Sequence, residues 1–341
     1  MSRKFGKTKN GKETHLYELT NRKQMKVFVS DYGAAIVSIF VPDKEGNLID
    51  VVLGYEDAAG YEEGTCLFGA VVGRVANRIG GAGFALNGVH YQLTDNDQGN
   101  TLHSGRDYTC YRLWEVKEYT DNSITLMLHS PDGDQGYPGT VDIEVTYTVT
   151  EENELSIRYY GVPAEDTLLN LTNHSYFNLE GHASGDVLDQ EVTIYAETFT
   201  RADAKSVPTG EIVPVKGTPM DFTTAKTIGQ DIGADYEALV FGKGYDHNWV
   251  INGEGMRKAA FMHAKNTGIT MEVYTDLPGM QFYTANYVEH ESGKEGAVYK
   301  TRSGACFETQ YFPDAINKDN FIKPIVKAGE EYCTETVYKF V

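Results

Sequence analysis

From Val141 to Val149 the chain reads Val-Asp-Ile-Glu-Val-Thr-Tyr-Thr-Val, apolar at every odd position and polar at every even one. Successive side chains of an extended strand point to opposite faces, so this segment can bury one coherent face only as a β-strand; a helix, at about 3.6 residues per turn, would scatter the same residues around its surface. β-Branched and aromatic runs recur at Met25 to Val29, Ala35 to Val41, Ser123 to His129, Leu155 to Tyr160, Gly268 to Tyr274 and Thr334 to Phe340. Turn-forming clusters bracket them, among them Asp132-Gly133-Asp134, Asn252-Gly253-Glu254-Gly255 and Asn266-Thr267-Gly268. Antiparallel hairpins and meanders are expected, and only Ala225 to Ile232 suggests a brief helical turn. With 23 Tyr, 15 Phe and 35 Gly among 341 residues, the composition suits a large twisted β-sandwich. No Pro- or Ser-rich linker, low-complexity tract or short-period repeat divides the chain, so residues 1–341 are expected to form a single all-β domain.

Charge narrows the partners. Thirty Lys and Arg against 49 Asp and Glu leave a formal charge of −19, which repels polyphosphates and anionic lipid surfaces. Neither nucleic acid nor membrane is expected as a partner, and a neutral small molecule fits better. The opening residues Met1 to Lys7 are polar, and no run of about 18 apolar residues occurs. A cytoplasmic location is the expectation. The four cysteines, Cys66, Cys110, Cys306 and Cys333, are widely spaced with no CxxC pair, so reduced and mostly buried thiols are expected rather than a zinc site or disulfide framework.

Polar, titratable residues interrupt this β-rich sequence in four places. In the first, Gly73-Arg74-Val75-Ala76-Asn77-Arg78-Ile79-Gly80 precedes His103 in Thr101-Leu102-His103-Ser104-Gly105. These are either loop residues in turns and salt bridges, or a guanidinium fork and an imidazole titrating near neutrality, both suited to sugar hydroxyls. The second is Leu169 to Leu179, where strand alternation places Thr172, His174 and Tyr176 on one face and Leu171, Asn173 and Ser175 on the other. In the third, Gly244-Tyr245-Asp246-His247-Asn248-Trp249, a turn leading into a strand competes with a carboxylate beside an aromatic, a pairing common at carbohydrate sites. The fourth, Ala305 to Asn317, holds Glu308 among Cys306, Phe307 and Thr309. Burial there would lift its carboxylate pKa towards the working range of a general base, whereas an exposed face would leave it ordinary.

The wording and order of these segments resemble the galactose mutarotase (aldose 1-epimerase) family from about residue 25 to the C-terminus. The matching stretches include GRVANRIGGAGFALNGVHYQLTDNDQGNTLHSG, NLTNHSYFNL, PTGEIVPVKGTPMDF, GYDHNWV and ETQYFPDAIN. The resemblance implies a galactose mutarotase-like antiparallel β-sandwich with an open sugar cleft across one sheet, needing no metal or organic cofactor. It implies Glu308 as general base and His174 as general acid. Asn77, Arg78, His103, Asp246 and Gln281 would bind substrate, with Tyr176 as a wall of the cleft. The substrate would be a free hexose such as galactose or glucose; monomer and homodimer both remain open.

Interconverting anomers requires a proton to leave the C1 hydroxyl and another to reach the ring oxygen, so one acid and one base suffice. A carboxylate near His174 is expected to keep the imidazole protonated near neutral pH. No GxSxG nucleophile turn is present, so no covalent intermediate is suggested. Where many family members read His-Gly-Gly, this chain has His103-Ser104-Gly105, and its Arg106 to Trp114 segment departs from the usual wording, which leaves sugar preference less constrained than reaction class. Two other classes stay open on the residues: a glycoside hydrolase using Glu308 and Asp246, and a sugar-binding protein without catalysis.

Overall fold

The computed structural model describes residues 1–107 and 109–341. Its largest sheet has nine antiparallel strands in the spatial order Glu115–Tyr119, Ser123–Ser130, Val141–Val149, Glu154–Gly161, Tyr332–Phe340, Thr270–Thr275, Arg257–His263, Glu191–Ile194 and Lys226–Thr227. The first four form a meander, and the C-terminal strand returns to fill the middle of the sheet. A five-stranded sheet is built from the N-terminal segments Ser2–Lys7, Glu13–Thr20, Lys26–Ser30, Ile36–Pro42 and Leu48–Asp50. A second five-stranded sheet runs Pro208–Pro214, Thr198–Ala202, Asp246–Val250, Gly279–Tyr283, Cys306–Gln310.

The alternating segment behaves as its period demands. Val141, Ile143, Val145, Tyr147 and Val149 are all at most 1% exposed, while Asp142 faces solvent. Unbroken registers with Ser123–Ser130 and Glu154–Gly161 satisfy its backbone groups. One continuous apolar core joins the layers: Leu19, Val27 and Ile39 come from the N-terminal sheet, Ile143 and Val145 from the long sheet, and Trp249, Met280, Phe282 and Phe307 from the third. Fully burying side chains of this size stabilises the fold by roughly 1.5–3 kcal/mol each. Two polar tips inside the core find backbone partners: Tyr147 Oη donates to the Ala34 carbonyl at 2.7 Å and Trp249 Nε1 to the Met220 carbonyl at 3.2 Å.

Two short helices, Ala58–Glu63 and Glu237–Gly242, were not expected, because six residues are too few for a helical period to stand out. The turn suggested at Ala225 to Ile232 is a strand pair at Lys226–Thr227 followed by a single 3₁₀ turn, Ile228–Gln230. Among the described residues, no helix is long and apolar enough to cross a membrane. All four cysteines are free; Cys66, Cys110 and Cys306 are buried, and Cys333 is exposed.

Candidate active site

Three adjacent strands lay out the floor of the site by their period of two. Asn248 lies opposite Gln281 and Gln281 opposite Glu308, while Asp246 lies opposite Tyr283 and Tyr283 opposite Cys306. Side chains paired across a ladder share a face, so Asp246, Asn248, Gln281, Tyr283, Cys306 and Glu308 all point one way. The intervening residues His247, Trp249, Met280, Phe282 and Phe307 point the other way, and all but His247 belong to the core. Polar neighbours on the site face hold one another: Gln281 Nε2 donates to Asp246 Oδ1 at 2.7 Å, and Gln310 Nε2 to Asn248 Oδ1 at 3.3 Å.

His174 arrives from a different element. The strand around it is only Thr172–Asn173, paired with Val71–Val72, so the alternation expected as far as Tyr176 stops early. The reason is local: Asn173 Oδ1 accepts from both the Ser175 N–H at 3.0 Å and the Ser175 hydroxyl at 2.6 Å, which turns the chain. His174 and Tyr176 nevertheless end side by side, their rings stacked at 5.0 Å and 25°. His174 Nε2 lies 3.8 Å from Glu308 Oε2, and its Nδ1 lies 3.6 Å from Cys306 Sγ.

The Asn77 and His103 loops close the site from above. Asn77, His103 and Ser104 all adopt positive φ, at 61°, 50° and 72°. Such conformations cost non-glycine residues about 1–3 kcal/mol and persist where surrounding bonds over-determine them. Here the His103 N–H donates to the Asn77 carbonyl at 2.9 Å while the Asn77 N–H donates to His103 Nδ1 at 3.1 Å. The Ser104 hydroxyl compensates for the strain: it accepts from the Val75 N–H at 2.7 Å and donates to the Val75 carbonyl at 3.0 Å. Arg78 Nε donates to Asp97 Oδ2 at 2.7 Å. Of the departing Arg106 to Trp114 segment, Tyr111 reaches the site, and Tyr108 lies outside the described residues.

Together these elements enclose a cavity of about 380 Å³, a size suited to a small ligand. Asn77, Arg78, His103, His174, Tyr176, Asp246 and Glu308 all line it. Gln281 is not among its lining residues; from the same sheet face it donates to the Asp246 carboxylate. The cavity wall also includes Thr65, Cys66, Leu67, Tyr283 and Tyr287, none of which the sequence reading picked out. Tyr283 was within its reach, since it shares the face of Gln281 two residues on. The Thr65 to Leu67 stretch follows a short helix and carries no local signal.

Electrostatics in the cavity are governed by burial. Glu308 is 2% exposed, and its Oε2 has no hydrogen-bond partner among the described residues. Desolvation, reinforced by the Asp246 charge and opposed by Arg78, pushes its carboxyl well above the ordinary carboxylate range, the direction expected for a base in this setting. The expectation for His174 is overturned. Desolvation dominates and pushes the imidazole down to about 4, so Glu308 does not keep it protonated in the free protein. His103 is corrected in the same way: burial, aided by the His174 and Arg78 charges, pushes it well below its ordinary value, and it does not titrate near neutrality. Arg78 is shifted upward, because Asp246 and Asp97 outweigh its desolvation.

The ligating atoms of His103, His174 and Glu308 lie within 4.8 Å of one another, close enough to raise the question of a metal ion. The donor chemistry does not suit one. His103 Nδ1 accepts the Asn77 N–H, so the neutral ring carries its proton on Nε2. A metal-bound histidine needs the reverse, its second nitrogen donating to an acceptor.

The aldose 1-epimerase family model matches residues 15–339. The chain belongs to the aldose 1-epimerase family. It is 40% identical to the galactose mutarotase of Homo sapiens over 318 residues, covering 93% of this chain and 91% of that one. To the aldose 1-epimerase of Haemophilus influenzae it is 37% identical over 335 residues, 97% of each. Among solved structures, an aldose epimerase homologue from C. elegans superimposes with a TM-score of 0.90 at 31% identity, covering 96% of this chain and 99% of that one. The all-β, galactose mutarotase-like fold expected for an aldose 1-epimerase family member is therefore the fold found. Apart from Gln281, the site residues named in the sequence come from five separate segments and line one cavity.

Proposed function

We propose that this chain is an aldose 1-epimerase that interconverts the α and β anomers of a free hexose such as galactose or glucose, with Glu308 and His174 as the proton-transferring pair. The observation that carries this reading is the 3.8 Å approach of His174 Nε2 to Glu308 Oε2 inside a polar cavity. The anomeric hydroxyl and the ring oxygen are both bonded to C1, so an acid and a base that stand close together can reach both at once. A glycoside hydrolase needs a pair of carboxylates about 5 Å or more apart; here the near partner of Glu308 is an imidazole, and Asp246 is engaged by Gln281.

Glu308 as carboxylate takes the C1 hydroxyl proton while His174 as imidazolium delivers one to the ring oxygen. Ring opening follows, rotation about C1–C2 exposes either face of the aldehyde, and the reverse transfers close the ring. Both buried groups favour their uncharged forms in the free protein, yet the pair needs only one shared proton: neutral imidazole with carboxylic acid holds the same number as imidazolium with carboxylate. A sugar hydroxyl donating to the unpaired Glu308 Oε2 stabilises the carboxylate and shifts that proton to His174. Arg78, Asp246 and the Nε2–H of His103 supply donors and an acceptor for the remaining hydroxyls. Arg78 is the one Arg or Lys among the described residues lining the cavity, and it is paired with Asp97, which suits a neutral sugar better than a sugar phosphate. One core spanning residues from Leu19 to Phe340 supports reading the chain as a single domain with one site.

Polarimetry of freshly dissolved α-D-galactose and α-D-glucose tests the reading. Acceleration by the wild type, lost in Glu308→Ala and His174→Ala, is the expected result. A wild type that leaves both rates unchanged would reduce the site to sugar binding alone.

A further inference from the structure

The strand Cys306–Gln310 presents two side chains to His174, one at each ring nitrogen. Glu308 faces Nε2 at 3.8 Å, and Cys306, two residues earlier on the same face, places its sulfur 3.6 Å from Nδ1. Proton transfer from an imidazole depends on which nitrogen exchanges, and the bond made by the other nitrogen decides that.

We infer that Cys306 is a positioning residue: its sulfur accepts the Nδ1–H of His174, holding the ring in the tautomer whose Nε2 exchanges the proton with substrate and Glu308. The opposite assignment, a thiol donating to a bare Nδ1, fits less well. It would leave the proton on Nε2, the nitrogen that faces Glu308 at 3.8 Å, and that nitrogen could not then take up the proton returned during turnover. Cys306 is fully buried, and desolvation, with the Glu308 charge adding to it, pushes its thiol well above the ordinary range. The sulfur thus stays a neutral, weak acceptor and adds no second charge beside the imidazolium. Other groups facing the ring are Tyr176, stacked at 5.0 Å, His103 at 5.5 Å and Tyr283 at 6.2 Å between ring centroids. No bond from any of these to Nδ1 is recorded among the described residues, which leaves the sulfur as its side-chain partner.

The inference rests on the proton-transfer role proposed for His174, and the test separates the two. In wild-type protein carrying ¹⁵N-histidine, with the His174 signal identified among nine histidines by its loss in His174→Gln, long-range ¹H–¹⁵N spectra at neutral pH should show Nδ1 protonated and Nε2 bare. Cys306→Val keeps the volume and removes the acceptor. Its spectrum should shift towards the Nε2–H form, and kcat should fall roughly 10-fold with KM little changed. That loss is far below the about 10⁴-fold seen where a carboxylate orients the base, because sulfur accepts weakly. Without the acceptor the imidazolium is less favoured, so the alkaline limb of the kcat profile should move to lower pH. Cys306→Ser restores an acceptor and should recover kcat to within about threefold of the wild type. An active wild type whose His174 carries its proton on Nε2, or a folded Cys306→Val with unchanged kcat and pH profile, overturns the inference while leaving the epimerase reading intact. The wild-type spectrum decides the tautomer even if Cys306→Val fails to fold. A wild type without mutarotase activity defeats the epimerase reading instead.

Discussion

His174 Nε2 and Glu308 Oε2 face each other at 3.8 Å with 8% and 3% of their side chains exposed, each pushed by burial towards its uncharged form. A pair so placed gives up stability in return for reactivity. Glu308→Gln keeps the shape and removes the charge. Mutarotation measured by polarimetry should fall by about 10²- to 10⁴-fold, as for loss of a positioned base. The sign for stability is opposite. A carboxyl whose folded pKa is raised costs stability as pH rises above its ordinary 4.5, because the unfolded chain ionises there first. Chemical denaturation at pH 7 should therefore show Glu308→Gln more stable than the wild type by about 1 kcal/mol or more. An active Glu308→Gln, or a clearly less stable one, contradicts this account.

Asp246 raises the Glu308 pKa through its charge. In Asp246→Asn that contribution disappears, Glu308 ionises more readily, and the acid limb of the kcat/KM profile should move to lower pH. Gln281 can still donate to the asparagine oxygen, so the floor should keep its geometry. KM should rise at every pH through the lost contact to sugar hydroxyls. An acid limb that stays in place would show that another group titrates in that limb.

Buried histidines, His103, His174 and His247 among them, add to the acid sensitivity of the fold. Desolvation pushes both His174 and His247 from 6.5 down to about 4. Depressed values mean that the unfolded chain takes up protons first, so their stabilisation is complete above pH 6.5 and is lost as pH falls from there to about 4. Each contributes a slope of up to about 1.4 kcal/mol per pH unit in that window. Urea titrations between pH 4 and 7 should show the decline, and His247→Gln should flatten it whatever its effect on overall stability.

Lys294 and Asp50 form an ion pair outside the cavity lining. Nζ reaches Asp50 Oδ2 at 2.6 Å, donates to the Val37 carbonyl at 2.6 Å and to Ser38 Oγ at 3.0 Å, and is buried. Lys294→Met leaves the Asp50 carboxylate buried without its counter-charge and should destabilise by about 3–5 kcal/mol. The double variant Asp50→Asn with Lys294→Met should recover part of that loss. Mutarotation per folded molecule should be unchanged, which distinguishes this buried pair from the one in the site.

Much of this protein was legible in its residues alone. The strict alternation of Val141 to Val149 forces a one-faced strand wherever it is placed, and the motifs around Arg78, His103, His174, Asp246 and Glu308 name the chemistry through residue type and order. Tertiary structure decided what those residues experience. His174 looked like a ready imidazolium beside a carboxylate; burial makes it neutral, a consequence of how many apolar atoms surround it, which no local pattern records. Gln281 read as a substrate contact; strand register sets it on the same face as Asp246 and Glu308, where its amide donates to the Asp246 carboxylate. Cys306 carried no signal until strand pairing set it against the far nitrogen of His174. Periodicity and residue identity act between near neighbours in the chain, whereas solvation and pairing partners depend on segments far apart in sequence that meet only when the sheets assemble.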